Sequence, residues 1–82
     1  MFLAAQISLY PLRQTHFTPG IKRAQEIFEK HGLTVEVGAM SSVLSGESEA
    51  LFSALREVFE TLAESGELVM MTTFSNACPV GR

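Results

Sequence analysis

The chain has a single cysteine, Cys78, and only two histidines, His16 and His31. One thiol closes no internal disulfide and supplies no cysteine-based zinc site. It fits a reducing compartment, and a cytoplasmic location is the expectation. Basic residues are few as well: six Lys and Arg stand against nine Asp and Glu, a formal net charge of −3. No basic stripe is available to neutralise phosphates, which argues against a nucleic-acid partner. No run approaches the ~18 consecutive apolar residues of a membrane-spanning helix. The opening "MFLAAQISLYPL" is apolar, but it lacks a basic leader and meets Gln6 early, so it reads as a strand rather than a signal peptide.

The 82 residues suffice for one domain, with a tail from about residue 76. At 46% hydrophobic and 18% charged, the composition is that of a packed globule. One core of this size rarely supplies more than about 3–5 kcal/mol of stability, so association with further copies is expected.

Hydrophobic periodicity orders the chain. Residues 2–10 alternate, with Leu3, Ala5, Ile7 and Leu9 on one face and Phe2, Ala4, Gln6, Ser8 and Tyr10 on the other. This is a strand with unequal sides, ended by Pro11. Thr18 is a candidate N-cap with Pro19 in the first helical position. Ile21, Ala24, Ile27 and Phe28 then form the stripe of a helix over 19–31, with Glu26 and Lys30 spaced to pair and Gly32 closing it. "LTVEV" and "MSSVLS" are strands, the second ended by Gly46. Ser48 caps a second helix whose stripe is Leu51, Ala54, Leu55, Val58, Phe59 and Leu62. Arg56, Glu57, Glu60 and Glu64 face water, and Gly66 stops the helix. "ELVMMTTFS" is the last strand.

The order strand, helix, strand, strand, helix, strand is the ferredoxin-like α+β pattern: a four-stranded antiparallel sheet with both helices on one face. The first strand then lies between the third and the fourth. The other face has no helix to cover it. It carries the polar set of the first strand, either Met40, Ser42 and Leu44 or Ser41, Val43 and Ser45 of the third, and either Val69, Met71, Thr73 and Ser75 or Leu68, Met70, Thr72 and Phe74 of the fourth, the more polar first set being preferred. Such a mixed surface marks an interface or a binding site. One reading is a homodimer without a ligand, an interaction or regulatory module. Another follows from uncharged donors and acceptors beside Tyr10 and Phe74, which suit a neutral aromatic heterocycle.

Three motifs carry a resemblance. "SLYP" (Ser8 to Pro11), "SSVLSG" (Ser41 to Gly46) and "TFSNACP" (Thr73 to Pro79) resemble, in order and spacing, the YkoF-like family of small thiamine-binding domains. The resemblance implies a ferredoxin-like fold and non-catalytic binding of thiamine or its hydroxymethylpyrimidine half, in support of precursor uptake or salvage. Carried over to matching positions, the ligand-binding candidates are Ser8, Tyr10, Ser41, Ser42, Thr73, Ser75 and Cys78. Asn76-Ala77 before Cys78 and Val80 after Pro79 depart from the pattern. Some members carry two such domains in tandem, so a homodimer or higher even-numbered oligomer is expected to rebuild the pair.

Catalysis is the weaker expectation. His16 and His31 have no carboxylate spacing that makes a metal site, and Cys78 has no evident histidine partner. A small ferredoxin-like enzyme acting on an aromatic compound is the remaining alternative. It requires a basic or nucleophilic group on the open face, where only Glu36 is a candidate.

Overall fold

The computed structural model describes residues 1–12, 18–38 and 41–77, with residues 18 and 19 described in their backbone alone. The His16, Met40 and Cys78 assignments, and the cap assigned to the Thr18 side chain, lie outside the described atoms. The elements are β1 (Phe2–Leu12), α1 (Thr18–Lys30), β2 (Thr34–Val37), β3 (Ser42–Glu47), α2 (Ser48–Ala63) and β4 (Glu67–Ser75). The sheet order is β2-β3-β1-β4 with every neighbouring pair antiparallel. The chain is thus a ferredoxin-like α+β fold.

Alternation along the strands decides the two faces. Leu3, Ala5 and Ile7 of β1 sit opposite Gly46, Leu44 and Ser42 of β3, and all point toward the helices. They meet Ala24, Ile27 and Phe28 of α1 and Leu51, Ala54, Leu55, Val58 and Leu62 of α2 in one core. Gly46 lies inside β3 instead of ending it. A Cβ there would stand 2.5 Å from Leu33 Cδ2, so the missing side chain leaves room for Leu33 to cover that end of the core.

Helix α1 ends as its sequence foretells. Gly32 takes φ 78°, its N–H donates to Glu29 O at 2.9 Å, and the Leu33 N–H donates to Phe28 O at 3.2 Å. This is the Schellman pattern, completed by the buried pair Leu33 and Phe28. Helix α2 starts differently from expectation. Ser48 is its first helical residue and Glu47 occupies the cap, with no side-chain cap bond. The Glu47 Oε1 instead accepts from the Met1 amino group at 3.2 Å, and the Ser48 N–H is taken by Met1 O at 2.7 Å. The chain start therefore does the capping.

Four further expectations are corrected. Phe59 is 38% exposed, outside the buried stripe of α2. Glu57 does not simply face water: Lys30 Nζ donates to its Oε2 at 2.6 Å and His31 Nε2 to its Oε1 at 2.7 Å. Lys30 thus bonds the neighbouring helix rather than Glu26, which ties the end of α1 to the middle of α2. β1 runs past Pro11 to Leu12, still paired with β4. Beyond Ile7 it has no β3 partner among the described residues, and there Pro11, with no N–H for a further neighbour, is tolerated.

Candidate functional site

Where β1 outruns β3, a notch opens between the sheet and α1. A cleft of about 250 Å³ fills it. Its floor is Ile7 and Leu9 of β1 with Val35 and Val37 of β2; its roof is Ile21, Ala24, Gln25 and Phe28 of α1. Gly38, Ser41 and Ser42, at the open ends of β2 and β3, close one side. Ile21 stays 51% exposed because this space, not packed side chains, lies beneath it. The Gly38 N–H donates to Ser41 O at 2.8 Å, and a Cβ at Gly38 would also lie 2.8 Å from that oxygen. Glycine is what lets these two strand ends approach so closely.

The polar part of the lining is uncharged: Ser8, Gln25, Ser41 and Ser42. Ser42 pairs with Ile7 and Val37 and so projects to the helix side of the sheet. Ser41 reaches the other way. Its Oγ accepts a 2.9 Å hydrogen bond from Gln6 Nε2, and Gln6 belongs to the open face, opposite Val43 and Thr73. The lining can shelter a flat apolar body and satisfy a few hydrogen bonds at its edge.

The candidate residues divide between two places. Ser8, Ser41 and Ser42 line the cleft together. Tyr10, Thr73 and Ser75 lie outside it, on the open face, and Cys78 is outside the described residues. Tyr10 stands opposite Val69 and Ser75 opposite Ala4, six positions apart along β1, which is roughly 20 Å at strand rise. The two ends of the face therefore cannot serve one small pocket in one protomer. Ser75 Oγ is engaged locally, accepting from the Ala77 N–H at 3.0 Å. The open face carries Val69, Met71, Thr73 and Ser75 of β4, the preferred set, and Val43 and Ser45 of β3. Tyr10, Leu12, Val69 and Met71 leave large apolar area in solvent there, between 40% and 61% exposed.

Sequence reading missed Gln25 and the cleft itself. The available signal was a polar residue at the i+4 position from Ile21 and i−3 from Phe28, inside an apolar stripe. Among the described residues no group of three His, Cys, Asp or Glu is placed to hold a metal ion. No helix among them is long and apolar enough to cross a membrane.

A two-layer ferredoxin-like unit, with a ligand-sized notch beside a shortened strand, is the class of protein defined here. The profile of the YKOF-related family matches residues 3–81, and the chain belongs to that family. It is similar to the UPF0045 protein MJ1052 of Methanocaldococcus jannaschii, 30% identical over 69 residues, which cover 83% of this chain and 69% of the relative. The crystal structure of MJ1052 superposes with a TM-score of 0.83 over 95% of this chain and 82% of its own, at 26% identity. Protein SP2199 of Streptococcus pneumoniae gives a TM-score of 0.84 at 18% identity, covering 99% of this chain and 92% of its own. A Thermotoga maritima protein ascribed to thiamine biosynthesis or salvage gives 0.77 at 21% identity, covering 92% and 83%. The last two likenesses concern the fold.

Proposed function

We propose that this protein binds thiamine or its hydroxymethylpyrimidine half without changing it, as a homo-oligomer, in support of thiamine precursor uptake or salvage. The observation that carries the reading is the cleft under α1: apolar walls, an uncharged polar edge, and a volume of about 250 Å³. Pockets for drug-sized ligands run from about 300 Å³ upward, so a one-ring compound matches this space better than a two-ring one. The family membership and the Thermotoga maritima neighbour support the ligand class. A non-catalytic role agrees with a lining of hydroxyls, amides and aliphatic groups, in which no described residue is a histidine, cysteine or carboxylate.

The pyrimidine ring would lie between Ile21 and Phe28 above and Ile7 and Val37 below, with Ser42 and Gln25 at its polar edge. The exposed apolar residues of the open face would pack against a second copy. Calorimetry and melting temperature with thiamine and with hydroxymethylpyrimidine test the reading. Heat and a raised melting temperature, with the compounds recovered intact, are expected. Silence from both at millimolar concentration refutes ligand binding, and turnover of either refutes the non-catalytic role.

A second reading, a dimeric interaction module without a small ligand, is favoured by Tyr10, Leu12, Val69 and Met71, which stand exposed together on the open face. It predicts self-association in the absence of any response to either compound.

A further inference from the structure

The ladder of β1 has an open place at the cleft. In an antiparallel sheet, successive residues of a strand turn their N–H and C=O toward one neighbour and then toward the other. Two observations fix the phase here. The Gly38 N–H donates to Ser41 O, so Ser41 turns its main chain toward β2, and Ser42, the next residue, turns toward β1. Ser42 is paired with Ile7, so Ile7 turns back toward β3, and Leu9 and Pro11 share its phase. Pro11 agrees independently: it has no N–H, yet it stands within the pairing with β4. The pairing with β3 ends at Ile7 and Ser42. Leu9 is therefore the first residue whose N–H and C=O point to where β3 has stopped, with no ladder partner there among the described residues.

The cleft reaches this place. Ser8 and Ser41 line it, although their side chains belong to the open face with Gln6, so the space enters the plane of the sheet between the two strand ends. Leu9 lines it too. An N–H and a C=O side by side can form two parallel hydrogen bonds with an aminopyrimidine, whose ring nitrogen accepts and whose amine donates. We infer that the main chain of Leu9 is the recognition element of the cleft, reading a heteroaromatic ring that carries an acceptor nitrogen next to an amine. The ligand edge takes the place of a missing β3 residue. Beyond Leu9 the next residue of this phase, Pro11, offers only a carbonyl, so an added peptide strand would find one complete donor–acceptor pair and no more. The open place thus suits a small ring better than a peptide. The inference rests on the ligand reading above and names what the ring must present.

The experiment follows the Leu9 amide of the full chain by NMR and binding by calorimetry. The probes are 4-amino-5-hydroxymethyl-2-methylpyrimidine and its analogue without the amine. In the free protein the Leu9 N–H should exchange with solvent faster than those of Ser8 and Tyr10, which turn toward β4. The aminopyrimidine should shift the Leu9 amide resonance and slow its exchange, and the analogue should bind roughly ten-fold or more weakly. Leu9→Pro removes the N–H, and Leu9→Ala reports the loss of the side chain, which packs against the core. Leu9→Pro should bind the aminopyrimidine roughly ten-fold or more weakly than Leu9→Ala. If Leu9→Pro folds poorly, the Leu9 amide of the native protein decides. A Leu9 amide as protected in the free protein as that of Ser8, a bound aminopyrimidine that leaves it unmoved, or equal binding by the two variants overturns the inference while the ligand reading stands. A native protein that binds neither probe removes both.

Discussion

Ser42 and Thr73 each carry one hydroxyl, in opposite settings. Ser42 is half-buried in the cleft, and Thr73 is exposed beside Gln6 on the open face. A buried hydrogen bond whose partner stays behind costs about 1–3 kcal/mol to lose, whereas an exposed one is replaced by water. If the ring binds under α1, Ser42→Ala should weaken it roughly five- to a hundred-fold and Thr73→Val by less than about two-fold. Titration calorimetry of the two variants checks this, and the reverse order would move the site to the open face. At Gly38 a methyl group would collide with a backbone oxygen, which has no side-chain freedom to yield. Gly38→Ala should therefore cost on the order of 1–3 kcal/mol by overpacking, read as a lowered urea midpoint. At this scale the legible part was composition: hydroxyls on strands pointed to binding. Their grouping was not legible. One residue of phase decides whether Ser41 or Ser42 faces the helices, and both alternatives fitted the apolar pattern of the third strand.

The helices divide their work between packing and pairing. Leu55 is buried and Phe59 is 38% exposed, although both follow the same helical stripe. Leu55→Ala should cost about 2–5 kcal/mol through the cavity it leaves, and Phe59→Ala distinctly less, since solvent already reaches that ring. Urea unfolding of both variants checks the order. Periodicity alone merged the two residues, because an apolar stripe wider than the sheet beneath it leaves its margin in water. Phe52 shows the same thing from the other side: half-exposed, it packs its ring 4.9 Å from that of Phe74 on the edge strand. Glu57 carries the pH dependence of the helix pair. The hydrogen bond from His31, then that from Lys30, holds its carboxyl below the ordinary range. A carboxylate lowered in the fold stabilises it above the ordinary titration range, and this contribution is lost as pH falls through the lowered value. The stability gap between the native protein and Glu57→Gln should thus be widest near neutral pH and close as pH falls below the ordinary carboxylate range, as followed by urea midpoints at each pH. An equal gap at both ends would assign the contacts no ionic contribution.

The molecule as a whole is a slab, with principal extents of 37 × 22 × 16 Å, and its open face is one broad side of that slab. A side of that size approaches the roughly 800 Å² per partner of a standard interface. We expect an even-numbered assembly in sedimentation at micromolar concentration, and Met71→Lys, placing a charge among the exposed apolar residues, should shift it toward the monomer. A native protein that sediments only as a 9.0 kDa species would count against this. The architecture was legible at this scale, since element order, both helix stripes and the strand alternation all agree with one topology. The notch was not, because it arises from where β3 begins relative to β1, a register that no single strand encodes.

That register also says something about time. Strand β1 pairs from Ala4 to Leu12 with β4, the last strand described, so nearly the entire chain lies between the partners Ala4 and Ser75. Such distant pairing makes closure slow, because the loop entropy must be lost before any contact compensates it. A ribosome-bound chain that has not yet released Glu67 holds β1 with its β4 side unpaired from Ala4 to Leu12. A three-stranded species with that edge open is prone to aggregate, so the yield of native protein is expected to rise when β4 pairs quickly.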